Sequence, residues 1–283
     1  MPQVPELLVE KMPNLASSSV VYSHLMKVFN DPHASMEDYE KWIEMDPTLT
    51  AKLLRLANSA FWGFGANVKS VREALLRLGL QQVRKVVLSS TVMNFFKGVF
   101  SEWVNMKDFW MHSLGTAIIA RCLAQESRKI NPEEAFAAGL MHDLGRLVFF
   151  MQDPSGVQQV FRRYNQQYQP LYEIEAEVLG FTHADLGGVL LNNWGLPVEL
   201  VQAVRYHHSP LAANANYADH AAIVHFADIL AHAMELGGSG QTRLPQPQMK
   251  MWDRLGIPIS SLEKILTQAD KMYQESTTIF LTD

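Results

Sequence analysis

Apolar residues recur with helical spacing along nearly the whole chain. Val21, Leu25 and Val28 share one face of a segment from Ser17 to Asn30, and Asp31-Pro32 breaks it. Ser35-Met36-Glu37-Asp38 reads as a capping box with Asp in place of the usual Glu, opening a helix to about Met45. Asp46-Pro47 starts another helix, striped by Leu49, Leu53, Leu54 and Ala57. A second capping box, Ser70-Val71-Arg72-Glu73, leads through Leu75, Leu76 and Leu78 to Gly79 as a C-terminal stop. Gln81 to Phe96 continues in the same period. Between Asn58 and Lys69, Gly63 and Gly65 together with Phe61, Trp62 and Phe64 predict an aromatic-rich loop.

The second half is equally helical. Asp108 to Glu126 predicts one helix carrying His112. Asn131 and Pro132 suit the N-cap and first position, and Glu133 and Glu134 the first turn, of a buried helix whose apolar run spans Ala135 to Phe150. Gln152 to Gly156 ends it. Val157–Gln167 and Leu171–Val178 are amphipathic, Gly180 is a break, and Thr182 caps a helix carrying His183. Gly195-Leu196-Pro197 turns into a helix from Pro197 to His208, which Ser209-Pro210 stops. His220 to Glu235 holds Asp228, Gly237 to Pro247 reads as a linker, and a helix from about Ser261 to Glu275 follows.

With no alternating run to suggest a strand, the prediction is all-α, a multi-helix bundle. Its expected parts are an N-terminal helical subdomain (1–105), a histidine-rich helical subdomain (106–236), and a linker with a helical tail (237–283).

Composition narrows the function classes. A hydrophobic share of 48% against 19% charged residues supports a substantial core. The net charge of −5 supplies no general basic field, so nucleic acid is not an expected partner. Cys122, the single cysteine, excludes a disulfide framework. The N-terminus lacks the basic and apolar regions of a secretory signal, and no apolar run reaches the ~20 residues that span a bilayer. A soluble, cytoplasmic protein without membrane association is expected. Walker, Rossmann, Gly-x-Ser-x-Gly and Cys-x-x-Cys motifs are all missing.

The chemistry concentrates in His142-Asp143, set in the apolar run of the central helix. A carboxylate buried there needs a cation or donors, so the dyad either binds a metal or closes a polar network in the core. Of the ten histidines, His24 and His33 are expected on the surface. His112, His142, Asp143, His183, His207, His208 and Asp228 each lie within or at the end of a predicted helix, as in helical bundles that project ligands inward. Imidazole and carboxylate donors without thiolate suit Fe, Mn, Zn or Ni rather than a structural zinc. His207-His208 also suits a helix C-terminus electrostatically, and His225 and His232 share a face with Asp228 as alternative or supporting groups.

The order of these residues resembles the ligand series of the HD superfamily of metal-dependent phosphohydrolases, particularly its HD-GYP branch. A longer resemblance is to the HDOD domain (HD-related output domain). It starts at Met12-Pro13-Asn14-Leu15, runs through Asp46-Pro47-Thr48-Leu49 to Asn58-Ser59, and continues with Ser70-Val71-Arg72-Glu73-Ala74 and Trp110-Met111-His112-Ser113. Gly139-Leu140-Met141-His142-Asp143-Leu144-Gly145, His183-Ala184-Asp185-Leu186-Gly187, Trp194-Gly195-Leu196-Pro197 and His207-His208-Ser209-Pro210 complete it.

That resemblance implies an all-helical bacterial signalling or regulatory protein whose 106–236 region is HD-like. It also implies a dinuclear site of divalent transition metals (Fe, Mn, Ni or Zn). One metal would take His112, His142, Asp143 and Asp228; the other would share Asp143 and add His183, His207 and His208. Asp143 would bridge the pair, and Arg146 would hold a phosphate of a phosphorylated small molecule or nucleotide. Arg146 stands where active HD-GYP enzymes carry Lys, and Leu147-Val148-Phe149-Phe150 stands in place of Gly-Tyr-Pro, which argues against cyclic di-GMP hydrolysis. The competing expectation is a non-catalytic signalling module that binds a partner protein or nucleotide, with the surface around Asn58 and Trp62 as one contact. With no fused sensor or output domain in 283 residues, the signal is expected to arrive through another chain or a ligand.

Overall fold

In the computed structural model, residues 4–13, 20–58 and 68–280 are described. The predicted loop cluster of Phe61, Trp62 and Phe64 lies outside them. The helices, in chain order, are α1 (Pro5–Glu10), α2 (Val20–Asn30), α3 (Met36–Glu44), α4 (Pro47–Asn58), α5 (Val71–Leu78) and α6 (Leu80–Phe95). They continue with α7 (Met106–Ser127), α8 (Pro132–Met141), α9 (Leu144–Gln152), α10 (Pro154–Tyr164), α11 (Leu171–Leu179) and α12 (His183–Asn193). The last are α13 (Val198–Arg205), α14 (Ala218–Ala233), α15 (Met249–Leu255) and α16 (Leu262–Phe280). No strand occurs among the described residues, so the chain is all-α as its periodicity predicts.

The chain forms two compact units, one of residues 1–12 and 98–270, the other of 13–97 and 271–283. The division differs from the expected limits at 105 and 236. The first helix joins the histidine-rich unit, and so does most of the segment read as a separate tail.

In the smaller unit, Ser35 and Asp38 form the predicted capping box. Ser70 also accepts from the Glu73 backbone N–H, but Glu73 reaches back to the Lys69 N–H, one residue earlier than the usual pattern. Gly79 ends α5 at φ +78°, a conformation that favours glycine. Asn58 donates to the carbonyls of Leu54 and Val68 and accepts from the Val68 N–H, so its amide ties the end of α4 to Val68.

In the larger unit, α7 and α8 form a close antiparallel pair. A Cβ on Gly139 would stand 2.8 Å from the Ala117 backbone, so that pair requires glycine. Helix α14 packs on α7 and α13, and α12 packs on α9 and α13. A Cβ on Gly145 would meet the His183 carbonyl at 1.9 Å, so α9 and the start of α12 touch backbone to backbone.

Three readings of local structure are corrected. The single helix expected through Ala135–Phe150 is broken into α8 and α9, with His142 and Asp143 at the junction. Adjacent side chains on a continuous helix diverge by ~100°, and the break brings both to one side. The helix expected to reach His208 ends at Arg205, leaving His207-His208 in the following turn. Finally, the Gly-rich segment from Gly237 is no open linker: Ser239 and Gln241 are buried and bonded to the body.

Candidate metal centre

Five segments carry the seven predicted ligand residues. His112 comes from mid-α7, the dyad from the α8–α9 junction, and His183 from the first turn of α12. His207 and His208 come from the turn after α13, and Asp228 from α14. All seven are brought together in one interior cluster, each at most 8% exposed. The ligand atoms of His183, His207 and His208 lie within 4.8 Å of one another, as do those of His112, His142 and Asp228, and of His142, Asp143 and His207.

The distances suit shared ions. His112 Nε2 is 3.0 Å from Asp228 Oδ1, and His183 Nε2 is 3.0 Å from both Asp143 Oδ1 and His208 Nε2. Two donor atoms each ~2.1 Å from one ion, and at right angles around it, stand about 3 Å apart. His142 Nε2 lies 3.4 Å from Asp143 Oδ2 and 3.6 Å from Asp228 Oδ1.

Local hydrogen bonds aim the rings. His142 Nδ1 donates to the Gly139 carbonyl and His207 Nδ1 to the Val204 carbonyl, both at 2.7 Å. His183 Nδ1 donates to Glu175 Oε2 at 2.6 Å. Each bond turns Nε2 inward, the arrangement that orients a metal-ligating imidazole. The Nε2 atom of His207 is buried without a hydrogen-bond partner, a costly state that a metal ion relieves, while the Nε2 of His142 has only long contacts to the Asp143 and Asp228 carboxylates. These residues therefore fit divalent metal.

Charge is balanced within the cluster. Burial by itself would raise the pKa of Asp143, but Arg146, His142 and His183 outweigh it and hold the carboxyl well below the usual range. Asp228 is likewise held low, against burial, by His232, His112 and His142. Burial opposes a charge on His142, yet Asp143 and Asp228 outweigh it and raise its pKa to about 10. His207 is pushed down to about 3, first by burial and then by His142 and His183.

Arg146 is buried too. Its Nε stands 3.2 Å from Asp143 Oδ1 and its Nη1 donates to the Ser239 carbonyl at 2.7 Å. His232 Nε2 stands 3.3 Å from Asp228 Oδ1, whereas His225 supports the cluster from behind, donating to the His207 carbonyl. His24 belongs to the smaller unit and stacks on Trp42.

Sequence reasoning missed Glu175, which has no motif of its own and is one of three glutamates in Glu173-Ile174-Glu175-Ala176-Glu177. Its burial alone separates it from its neighbours. It also missed Ser239 and Gln241, whose Gly-rich surroundings read as a linker.

Residues 15–210 match the HDOD domain family. The chain belongs to that family. An HDOD domain protein of unknown function from Geobacter sulfurreducens has the same fold, with a TM-score of 0.79 over 98% of both chains at 22% identity. A candidate phosphohydrolase from Shewanella amazonensis aligns with a TM-score of 0.75 and 25% identity, covering 96% of this chain and 98% of that one. An uncharacterised protein of Treponema pallidum is 24% identical over 222 residues, 78% of this chain and 42% of its own length. This HDOD chain thus spans less than half of that relative. Among its described residues, no helix is long and apolar enough to cross a membrane.

Proposed function

We propose that this HDOD protein binds two divalent transition-metal ions and is a signalling module of the metal-dependent phosphohydrolase type, acting in the cytoplasm on a phosphorylated small molecule or nucleotide. One ion is held by His112, His142, Asp143 and Asp228; the second shares Asp143 and adds His183, His207 and His208. The observation that carries this reading is the convergence of seven buried ligand-type side chains with inward-turned ring nitrogens, that of His207 partnerless. The likeness to a candidate phosphohydrolase supports it.

A metal pair supplies Lewis acidity for phosphate oxygens and lowers the pKa of bound water. The chain's own residues do the rest. Glu175 holds His183 in one tautomer and orientation, and Gly139 and Val204 do the same for His142 and His207 through their carbonyls. Arg146 places a permanent cation beside Asp143, where its guanidinium can bind a phosphate group.

Metal content per chain, measured on anaerobically purified native protein and on His142→Ala and His208→Ala, tests the proposal. About two equivalents of Fe, Mn, Ni or Zn, lowered in both variants, are expected, together with turnover in a phosphatase and phosphodiesterase screen. A folded, metal-free native protein would overturn it.

A second reading has its own support. All seven ligand residues are shut away from solvent, which favours a module that holds metal structurally and signals through a partner protein. Stoichiometric metal with no turnover in the screen would select that reading.

A further inference from the structure

The segment Leu236–Gln248 is tied to nearly every element that carries a metal-ligand residue. A Cβ on Gly237 would stand 2.3 Å from the Asp108 carbonyl and 2.4 Å from the His112 nitrogen, and the Gly238 N–H donates to that same carbonyl. The Ser239 carbonyl accepts from Arg146, and Gln241 Oε1 accepts from the Leu171 N–H at the start of the helix that bears Glu175. At the far end, Gln248 donates to the His208 carbonyl through its side chain and to His225 Nε2 through its backbone.

Two features of this strap are unexplained by packing. The Ser239 hydroxyl and the Gln241 amide nitrogen are buried without any hydrogen-bond partner, a state that costs stability. In addition, the guanidinium that neighbours Asp143 spends Nη1 on a main-chain carbonyl, a neutral acceptor weaker than an anion.

The geometry points to a displaceable strap: the Ser239 carbonyl occupies Arg146 in place of a phosphate oxygen, and Arg146, the Ser239 hydroxyl and the Gln241 amide together form the phosphate-binding side of the metal centre. An arriving phosphate group takes the Arg146 fork, lifts the carbonyl away and satisfies the two idle donors. The identity of the anion rests on the phosphohydrolase-type reading above. The strap itself rests only on the contacts just given.

Tyr164 is the strap's anchor. Its hydroxyl accepts from the Thr242 and Arg243 N–H groups, and its carbonyl accepts from Arg243 Nη1. Tyr164→Phe therefore loosens the strap without touching the cluster. Ser239→Ala removes an idle hydroxyl and leaves the carbonyl in place.

The test uses native, metal-analysed full chain with inorganic phosphate as the probe. Amide exchange over 236–248 and phosphate affinity by calorimetry are the readouts. Phosphate is expected to speed exchange in the strap at least ~3-fold, and Tyr164→Phe to bind phosphate ~3-fold more tightly because less must be displaced. Ser239→Ala is expected to bind it about fivefold more weakly with an unchanged or higher melting temperature, the pairing a merely structural serine would not give.

Strap exchange unaltered or slowed by phosphate, with both variants binding it as the wild type does, overturns the strap. If two metals are present in that sample, the metal centre survives and the strap alone fails. Phosphate-driven opening in a chain that carries no metal keeps the strap and overturns the metal centre.

Discussion

Glu175 Oε2 accepts two hydrogen bonds from His183, one from its backbone N–H at 2.8 Å and one from ring Nδ1 at 2.6 Å. The carboxylate therefore supports the first turn of α12, which Thr182 and Asp185 cap, and sets which ring nitrogen of its first residue is free. Glu175→Gln keeps the size and an acceptor but removes the charge. We expect a 10–100-fold loss of metal affinity in a protein that remains folded, read by competition with a chromogenic chelator. Unchanged affinity would reduce Glu175 to a helix-start contact.

His142 and His207 differ from Glu175 in acting directly. Both turn Nε2 toward the centre of the cluster, His207 without a hydrogen-bond partner and His142 with only long carboxylate contacts. His142→Ala and His207→Ala should each abolish binding of at least one metal equivalent, measured by elemental analysis after gel filtration. Retention of full metal content by both would show that the imidazoles form a core network instead.

Metal removal carries a pH signature. In the metal-free fold, His207 and His232 titrate at about 3 and about 4, against 6.5 as free side chains. Their pKa values are depressed, so the stability tied to their neutral form is complete above pH 6.5 and is lost as pH falls through about 4 and then about 3. His142 runs the other way: raised to about 10, its contribution is complete below pH 6.5 and is lost as pH rises through about 10. The chelator-treated protein should thus have lower urea midpoints at about pH 4.5 and about pH 10 than at neutral pH. Metal-loaded protein should have a higher midpoint than the stripped chain at neutral pH. Identical midpoints with and without metal would contradict a metal centre linked to folding.

Gly145→Ala tests the contact that positions the cluster. Its Cβ would meet the His183 carbonyl at 1.9 Å and the Gly187 nitrogen at 2.8 Å, both backbone atoms that cannot rotate away. A loss of about 3 kcal/mol or more is expected in denaturant unfolding. A change below about 1 kcal/mol would mean that α9 and α12 separate easily.

Much of this protein is legible in one dimension because helices are local. Ser35 with Asp38 and Thr182 with Asp185 satisfy their own helix starts within four residues, so the caps could be read directly. The ligand-type residues could be nominated for the same reason: imidazole and carboxylate on apolar faces are anomalous wherever they occur.

What the sequence by itself determined was the helical class, most helix limits and the set of chemically unusual residues, each following from nearest neighbours along the chain. Tertiary structure decided the rest. Only packing breaks the central helix at His142-Asp143, because the junction is fixed by the backbone approach of Gly145 to His183 across α12. Only packing selects Glu175 from three similar glutamates, since what distinguishes it is burial against His183. And only packing turns a glycine-rich linker into a buried strap, because Ser239 and Gln241 find their bonds on Arg146 and Leu171, ninety-three and seventy residues away along the chain.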